Sequence, residues 1–350
     1  MERTLTSASA AQPKMLELPQ PYLLFLGDVK ERGFAKTALG LKDWVPELCV
    51  GECALPEARV TTGLARLTPR EASAKGVRSL VIGVANRGGV LAPSWIPMLL
   101  EALEVGLDLV SGMHGRLSAH PELRAAAERL GRRLIDVREP PPGIPIATGA
   151  RRTGKRLLTV GTDCALGKKY TALTLAREFR RRGVNADFRA TGQTGILIAG
   201  AGIPIDAVVA DFIAGAAEIL SPSASEGHWD VVEGQGSVFH PSYAGVSLGL
   251  LHGTQPDVIV LCHEAGRETT LGLEDYPTPG LEEAIELHLK LARRTNPQVR
   301  CAGVSLNTSR LSGGQAFAVM GALAARLNLP VADPLRPGTQ LDRLVESCLG

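Results

Sequence analysis

The chain has 350 residues, an apolar fraction of 45% and a charged fraction of 21%, the composition of a globular protein long enough for two domains. A net charge of +2 and an aromatic content of 4% argue against a dedicated nucleic-acid binder, which needs a basic surface or stacking platforms. The six cysteines form no CxxC pair, as expected for reduced thiols in a cytoplasmic protein. The N-terminus has no apolar signal-peptide core, and acidic residues interrupt the longest apolar stretch, 196–220, so we expect no membrane span.

Short apolar runs alternate with helical patterns along the whole chain, which predicts parallel β-α-β units. In the first half we predict strands at 22–26, 48–52, 79–84, 107–111 and 134–137. Helices are predicted at 95–105 and 120–131, the second beginning with Pro121 and ending with Gly131. This alternation predicts a Rossmann-like, doubly wound domain. No dinucleotide-binding glycine pattern follows its first strand, so we expect that the domain does not bind NAD.

A proline-rich segment, 139–156, separates the two halves. Its three successive prolines, 140–142, supply no ladder donors and favour extended backbone. We therefore predict a Rossmann-like N-terminal domain at 1–141, followed by a P-loop NTPase-like parallel-sheet domain at 142–350. The cations of the segment either form a solvated linker or line a ligand cleft; they are Arg151, Arg152, Lys155 and Arg156.

In the second half we predict strands at 157–160, 186–190, 229–233, 258–262 and 301–306. The first runs directly into a glycine-rich turn and a helix, the context that a phosphate-binding loop requires. Glycines let the backbone N–H groups of the turn point at phosphate oxygens, and a lysine adds positive charge at the helix start. The predicted cofactor contacts are Gly161, Thr162, Asp163, Cys164, Ala165, Leu166, Gly167, Lys168, Lys169 and Thr171.

This loop departs from the usual pattern in two places. The first glycine comes one position early, at Gly161, and Lys169 replaces the Ser/Thr that normally binds Mg²⁺. The nearest hydroxyl belongs to Thr171. We therefore expect phosphate binding, and we treat phosphate cleavage at an ordinary Mg²⁺ site as a separate claim.

The loop sequence GTDCALGK resembles that of dethiobiotin synthetase-like P-loop proteins, and WDVVEGQGS at 229–237 resembles a second segment of that group. The resemblance implies that Glu233 is a metal-binding acid for Mg²⁺ and that Asn307 contacts a purine base. An acid at the C-terminal end of a parallel strand faces the ligand crevice. The alternative is that Glu233 only caps a neighbouring helix.

Candidate catalytic histidines fall in or beside loops at predicted strand ends. Among His240, His252 and His263 we expect His240 or His263 to act as a general base. Their spacing is not that of a zinc-binding helix. Ser242, close to His240, either orients a substrate carboxylate or forms a local turn.

Candidate substrate contacts lie in three loops. ANRGG (85–89) and SGMHGRL (111–117) each follow a predicted strand, where α/β proteins bind small molecules. Their Arg87 and Arg116 suit an anionic substrate. The glycine-rich segment ATGQTGI (190–196) allows close approach to a ligand and contributes Gln193.

Taken together, GTDCALGKKYTAL, ATGQTGI, EGQGS-x-x-HPSY and LCHE-x-x-R resemble a two-domain bacterial family that includes the D-glutamate N-acetyltransferases of D-amino-acid catabolism. The resemblance implies transfer of acetyl from acetyl-CoA to the amine of D-glutamate. For this reaction our candidate catalytic residues are His240, His263 and Glu233. The alternatives are an ATP- and Mg²⁺-dependent ligase or kinase-like enzyme of the dethiobiotin synthetase type, or a nucleotide-gated regulator. We expect an amino-acid substrate held between the domains, a homo-oligomer, and no nucleic-acid or membrane partner.

Overall fold

Two parallel sheets flanked by helices organise the chain, as the alternating sequence pattern predicted. The computed structural model describes residues 15–84 and 87–350, with only the backbone at Arg87. Across those residues, no helix combines the length and apolar character that crossing a membrane requires.

The first sheet has five parallel strands in the order β3-β2-β4-β5-β6. A short strand precedes the sheet, and four helices connect or follow its strands. In chain order the elements are β1 (Leu16–Glu17), β2 (Tyr22–Phe25), α1 (Lys36–Trp44), β3 (Cys49–Cys53), α2 (Pro69–Ala74), β4 (Ser79–Ile82), α3 (Ile96–Glu104), β5 (Asp108–Ser111), α4 (Pro121–Leu130) and β6 (Leu134–Asp136).

The second sheet has six parallel strands in the order β15-β14-β11-β7-β10-β8. Its elements are β7 (Lys155–Gly161), α5 (Lys168–Arg181), β8 (Ala186–Arg189), α6 (Gln193–Ala199), β9 (Ala201–Gly202), α7 (Ile213–Leu220), β10 (Trp229–Val232), α8 (Ala244–Thr254), β11 (Val258–Glu264), β12 (Thr269–Thr270), β13 (Leu273–Pro277), α9 (Leu281–Ala292), β14 (Arg300–Asn307), α10 (Gly313–Leu327), β15 (Val331–Ala332) and α11 (Thr339–Leu349). Strand β9 pairs with β1 outside this sheet, and β12 and β13 form a separate hairpin.

Every strand predicted from the sequence is present, with its ends within about two residues of the expected positions. Strand β2 shows why the pattern was readable, since all four of its residues are buried. Strands of a parallel sheet are covered on both faces and therefore read as continuous apolar runs. Strand β15 and the hairpin were not predicted, because two-residue strands and an exposed hairpin carry no such run.

The two sheets are joined by packing of α5 and α6 against the first half of the chain. Leu173 of α5 and Ile196 of α6 belong to the same buried apolar cluster as the strands of the first sheet. At the surface of this contact, Trp44 stacks on Tyr170 with ring centroids 6.0 Å apart. The predicted boundary between 141 and 142 falls between β6 and β7; independent folding of each half stays a prediction.

Of the four cations of the proline-rich segment, Arg151 and Lys155 are exposed, whereas Arg152 and Arg156 are not part of a solvated face. Arg156 is 3% exposed, and its Nε donates to Ser221 Oγ at 2.9 Å. The Arg152 guanidinium donates to backbone carbonyls, among them that of Thr254 at 3.1 Å. Both interpretations offered for these two residues are therefore wrong, since they lie at the N-terminal end of β7, opposite the ligand crevice, and bind the fold itself.

Candidate functional site

The C-terminal ends of four neighbouring strands meet at one edge of the second sheet. Strand β7 ends at Gly161, β11 at Glu264 and β14 at Asn307, while Glu233 directly follows β10. Parallel α/β sheets bind ligands in the crevice at this edge. The topology therefore brings the phosphate loop, Glu233, His263 and Asn307 to one edge of the sheet, as predicted.

The phosphate loop, residues 161–168, connects β7 to α5. Gly167 has φ 107°, a conformation that other residues rarely adopt, and it ends the loop where α5 begins. Lys168 is only 7% exposed, and its Nζ donates to the carbonyl oxygen of Asp163 in the same loop at 2.8 Å. Burial lowers the pKa of Lys168. Because an ammonium has three donors, two remain for an anion in the loop.

A buried ion-pair chain holds the loop from the hairpin side. Asp163 Oδ2 accepts from Arg267 Nη1 at 2.9 Å and from the backbone N–H of Leu271 at 2.8 Å. Arg267 Nε also donates to Glu264 at 2.9 Å. The carboxylate of Asp163 is thus bonded to the protein itself, which fixes the loop; Arg267 was not predicted to have this role.

His263 lies beside the loop, at the end of β11. Its Nδ1 is 2.9 Å from Thr162 Oγ1, and burial together with the nearby Arg267 lowers its pKa below 6.5. At neutral pH the ring is therefore uncharged and able to accept a proton. The predicted role as a base is chemically consistent with this environment.

A cavity of about 410 Å³ opens next to His263. One wall is apolar and formed by Leu281, Leu306, Leu311, Val319 and Leu323. The polar residues of the lining include His263, Arg267, Thr278 and Arg326. Among the residues that the structure describes, the buried Oγ1 of Thr278 has no hydrogen-bond partner.

His240 also lies beside the phosphate loop. One of its ring nitrogens, the Cys164 sulfur and an Asp163 carboxylate oxygen lie within 4.8 Å of one another. Nδ1 accepts the backbone N–H of Ser242 at 3.1 Å. The neutral ring therefore carries its proton on Nε2 and can donate a hydrogen bond, whereas it has no free lone pair for a base.

Glu233 is built into the start of α6. Its Oε2 accepts the backbone N–H groups of Thr191 at 3.0 Å and Gly192 at 3.1 Å. A Cβ at position 195 would overlap this carboxylate, which explains the glycine there. Burial raises the pKa of Glu233, and the charge of Lys169 opposes that shift. The helix-capping alternative thus describes the observed contacts, and metal binding stays a prediction.

Two further predicted cofactor contacts have partners within the fold. The Thr171 hydroxyl is buried, donates to the Gly167 carbonyl at 3.1 Å and lies 2.7 Å from Ser305 Oγ. Asn307 Oδ1 accepts the N–H of Ser309 at 3.0 Å. Contact of either residue with a cofactor stays a prediction.

The predicted substrate residues lie on the other flank of the loop. Gln193 begins α6 and adjoins the 111–117 loop, since a Cβ at Gly112 would be 3.3 Å from it. The two first-sheet loops also meet, because the N–H of Gly115 donates to the carbonyl of Gly89 at 2.7 Å. Gln193 is therefore on the β8 side, whereas the His263 cavity is on the β11 side.

The remaining substrate candidates are at or near the surface. Arg116 is exposed and lies 3.8 Å from the Glu139 carboxylate. Ser242 is also exposed, and its backbone bonds His240. The side chain of Arg87 falls outside the described residues. Their contacts with a substrate stay predictions.

Comparisons with known proteins agree with this architecture. Residues 51–140 match the Rossmann-like domain of the domain of unknown function DUF1611, and residues 145–345 match its P-loop domain. The chain is 50% identical over 327 residues to the D-glutamate N-acetyltransferase of Tritonibacter scottomollicae, covering 93% of this chain and 98% of that protein. It is 47% identical over 323 residues to the D-glutamate N-acetyltransferase of a Pseudoalteromonas species, covering 92% and 97%.

A solved structure extends the likeness to the whole fold. The crystal structure of a DUF1611 family protein from Anabaena variabilis ATCC 29413 superposes with a TM-score of 0.80 at 31% identity, covering 94% of this chain and 98% of that one. Both domains and nearly the full length therefore correspond. The chain is a member of the two-domain DUF1611 family, with a Rossmann-like N-terminal domain and a P-loop C-terminal domain.

Proposed function

We propose that this protein is an N-acetyltransferase that transfers acetyl from acetyl-CoA to the amine of D-glutamate. The observation that carries the proposal is the 50% identity, over 93% of the chain, to a D-glutamate N-acetyltransferase. The phosphate loop beside a partly apolar cavity supports a phosphorylated donor, since CoA joins phosphates to a long amphipathic arm. Lys168 and the N-terminus of α5 would hold those phosphates.

His263 acts as the general base that removes a proton from the substrate ammonium. The substrate amine arrives as an ammonium, which cannot attack a thioester until it loses a proton. With Nδ1–H donating to Thr162 Oγ1, the ring has a lone pair on Nε2. His263 accepts the ammonium proton at Nε2, and the free amine then attacks the thioester carbon.

His240 supplies the second role. Attack places negative charge on the thioester oxygen, and a hydrogen-bond donor already in position stabilises it. Nε2–H of His240 is suited to this because Nδ1 is occupied by Ser242 N–H. The attacking nitrogen still carries one proton too many, and it releases that proton to water. When the carbon–sulfur bond breaks, the CoA thiolate takes the proton from His263, so one proton is released to solvent overall. N-acetyl-D-glutamate and CoA are the products, and His263 returns to its neutral form.

The acceptor's carboxylates would bind in the cavity of His263. Arg326 lines it, and its partner Glu282 is 3.0 Å away in an ion pair whose side chains are both more than half exposed. Such a pair contributes little to stability, so the guanidinium can exchange it for a substrate carboxylate.

Removal of the Arg326 charge should therefore raise KM for D-glutamate. We expect about a tenfold increase for Arg326→Met, the size of one charge-assisted hydrogen bond, with little change in KM for acetyl-CoA. Steady-state kinetics with each substrate varied in turn measures both constants. Arg293→Met, an exposed site after α9, is the control. An unchanged KM for D-glutamate in Arg326→Met would place the acceptor elsewhere.

The ATP-dependent ligase has less support. The relatives that span the chain carry an acetyltransferase name. In addition, the Thr171 hydroxyl that would assist Mg·ATP is hydrogen-bonded to Ser305 Oγ, which links α5 to the sheet.

The proposed reaction predicts a thiol-release assay that depends on the enantiomer of glutamate. With acetyl-CoA we expect release of free CoA thiol on addition of D-glutamate and little on addition of L-glutamate. Equal rates with both enantiomers would contradict the stereochemical part of the proposal. Formation of ADP from ATP, dependent on an acceptor, would instead favour the ligase.

A further inference from the structure

P-loop proteins usually hold a divalent cation between two protein groups, and the residue at one of these two positions is altered here. One group is the hydroxyl that follows the loop lysine, and the other is an acid at the end of a neighbouring strand. In this chain Lys169 occupies the first position and Glu233 the second.

Lys169 carries its own positive charge into the first turn of α5. Its half-buried ammonium lies 4.5 Å from the centroid of the Tyr170 ring, and Tyr170 stacks in turn on Trp44 of the first sheet's α1. Burial lowers the pKa of Lys169, and the carboxylate of Glu233 opposes that shift. The packing of the two halves thus holds an ammonium next to the phosphate loop and within the field of Glu233.

Glu233 is poorly placed to coordinate a metal. Its Oε2 already accepts the N–H groups of Thr191 and Gly192, and its nearest cationic influence is Lys169. The nearest hydroxyl that could replace the missing metal ligand belongs to Thr171, and it is buried against Ser305. A divalent cation would therefore meet an ammonium and a carboxylate with one oxygen already bonded, which is an unfavourable combination.

We propose that the phosphate loop binds its cofactor without a divalent cation, and that Lys169, whose ammonium packs on the Tyr170 ring, supplies the neutralising charge in the metal's place. The loop then offers two lysines, Lys168 from within and Lys169 from the first turn of α5. This arrangement retains phosphates without the cation that assists their cleavage, which suits a donor whose phosphates stay intact. The inference rests on the proposed function only for the choice of CoA as a probe.

Calorimetric titration of the full chain tests this directly. CoA and ADP are titrated separately, each in EDTA and in millimolar Mg²⁺. We expect dissociation constants that agree within about twofold between the two buffers, and about tenfold weaker binding by Lys169→Met in both. Lys169→Arg, which keeps a cation, should retain most of the affinity. Lys290→Met, at an exposed position in the last turn of α9, is the control for loss of one charge.

The outcomes separate this inference from the proposed function. If CoA fails to bind and ADP binds equally well in both buffers, acetyl-CoA is not the donor, whereas the inference of metal-independent phosphate binding holds. The inference would be overturned if the wild-type protein bound either ligand at least about tenfold more tightly in Mg²⁺ than in EDTA. It would also be overturned if folded Lys169→Met bound the ligands with wild-type affinity. If neither ligand binds, the loop is not a phosphate site, and the inference also fails. A thermal melt of each variant establishes that it is folded.

Discussion

Lys168→Ala should weaken CoA binding by at least about 30-fold, because truncating a buried charged partner costs about 2 kcal/mol or more. The Lys168 ammonium is buried within the loop and keeps donors available beyond its bond to the Asp163 carbonyl. Without it the phosphates would lose their closest cation. The fold should persist, since the charge is costly to bury and the ammonium contributes the hydrogen bond to the Asp163 carbonyl.

Isothermal titration calorimetry gives the affinity, and a thermal melt shows whether the variant is folded. Lys168→Met is the companion variant, since it keeps most of the aliphatic stem and removes only the charge. Both variants should lose affinity alike. A folded Lys168→Met with wild-type affinity would show that the loop does not bind the cofactor phosphates.

His263→Gln should lower kcat by about 10²- to 10⁴-fold, the usual contribution of a general base. Glutamine keeps a polar group near Thr162 and the cavity but cannot accept a proton from an ammonium. Binding of CoA should change little because His263 is outside the phosphate loop. Steady-state kinetics combined with calorimetry separates the two effects.

The pH profile supplies an independent test of the same residue. Because burial holds the pKa of His263 below 6.5, the neutral, proton-accepting form predominates at pH 6.5 and above, and is lost only on further acidification. The acidic limb of kcat/KM, which reports groups of the free enzyme, should therefore lie below pH 6.5 and disappear in His263→Gln. His252→Gln, in the last turn of α8, is the matched control and should keep the wild-type profile. Retention of the acidic limb and of kcat in His263→Gln would assign the base elsewhere.

The phosphate loop could be predicted from sequence because all of its determinants are local. A buried strand, two glycines and a lysine follow one another from β7 to α5, and each acts through its own backbone or nearest neighbours. The parallel strands could be predicted equally well, because they appear in the sequence as continuous apolar runs. Because the strands are parallel, the C-terminal ends of β7, β10, β11 and β14 lie at one edge of the sheet.

The contacts that tune the site could not be predicted, because they join distant parts of the chain. Arg267 meets Asp163 across 104 positions, and Glu233 caps a helix that begins some 40 positions earlier. No local pattern specifies either pair. The linker arginines illustrate the same limit, since Arg152 binds carbonyls about 100 positions away and its charge suggested a solvated surface. The tautomer of His240 likewise depends on one backbone N–H, that of Ser242.

Product analysis with labelled donor tests the central claim most directly. The full chain is incubated with acetyl-CoA carrying ¹³C in its acetyl group and with D-glutamate, L-glutamate or no acceptor, and glutamate and its N-acetyl derivative are followed by mass spectrometry. The proposed function predicts labelled N-acetylglutamate from D-glutamate, in amounts equal to the CoA released, and little from L-glutamate. Absence of labelled N-acetylglutamate with D-glutamate, from a folded protein that binds acetyl-CoA, would contradict it.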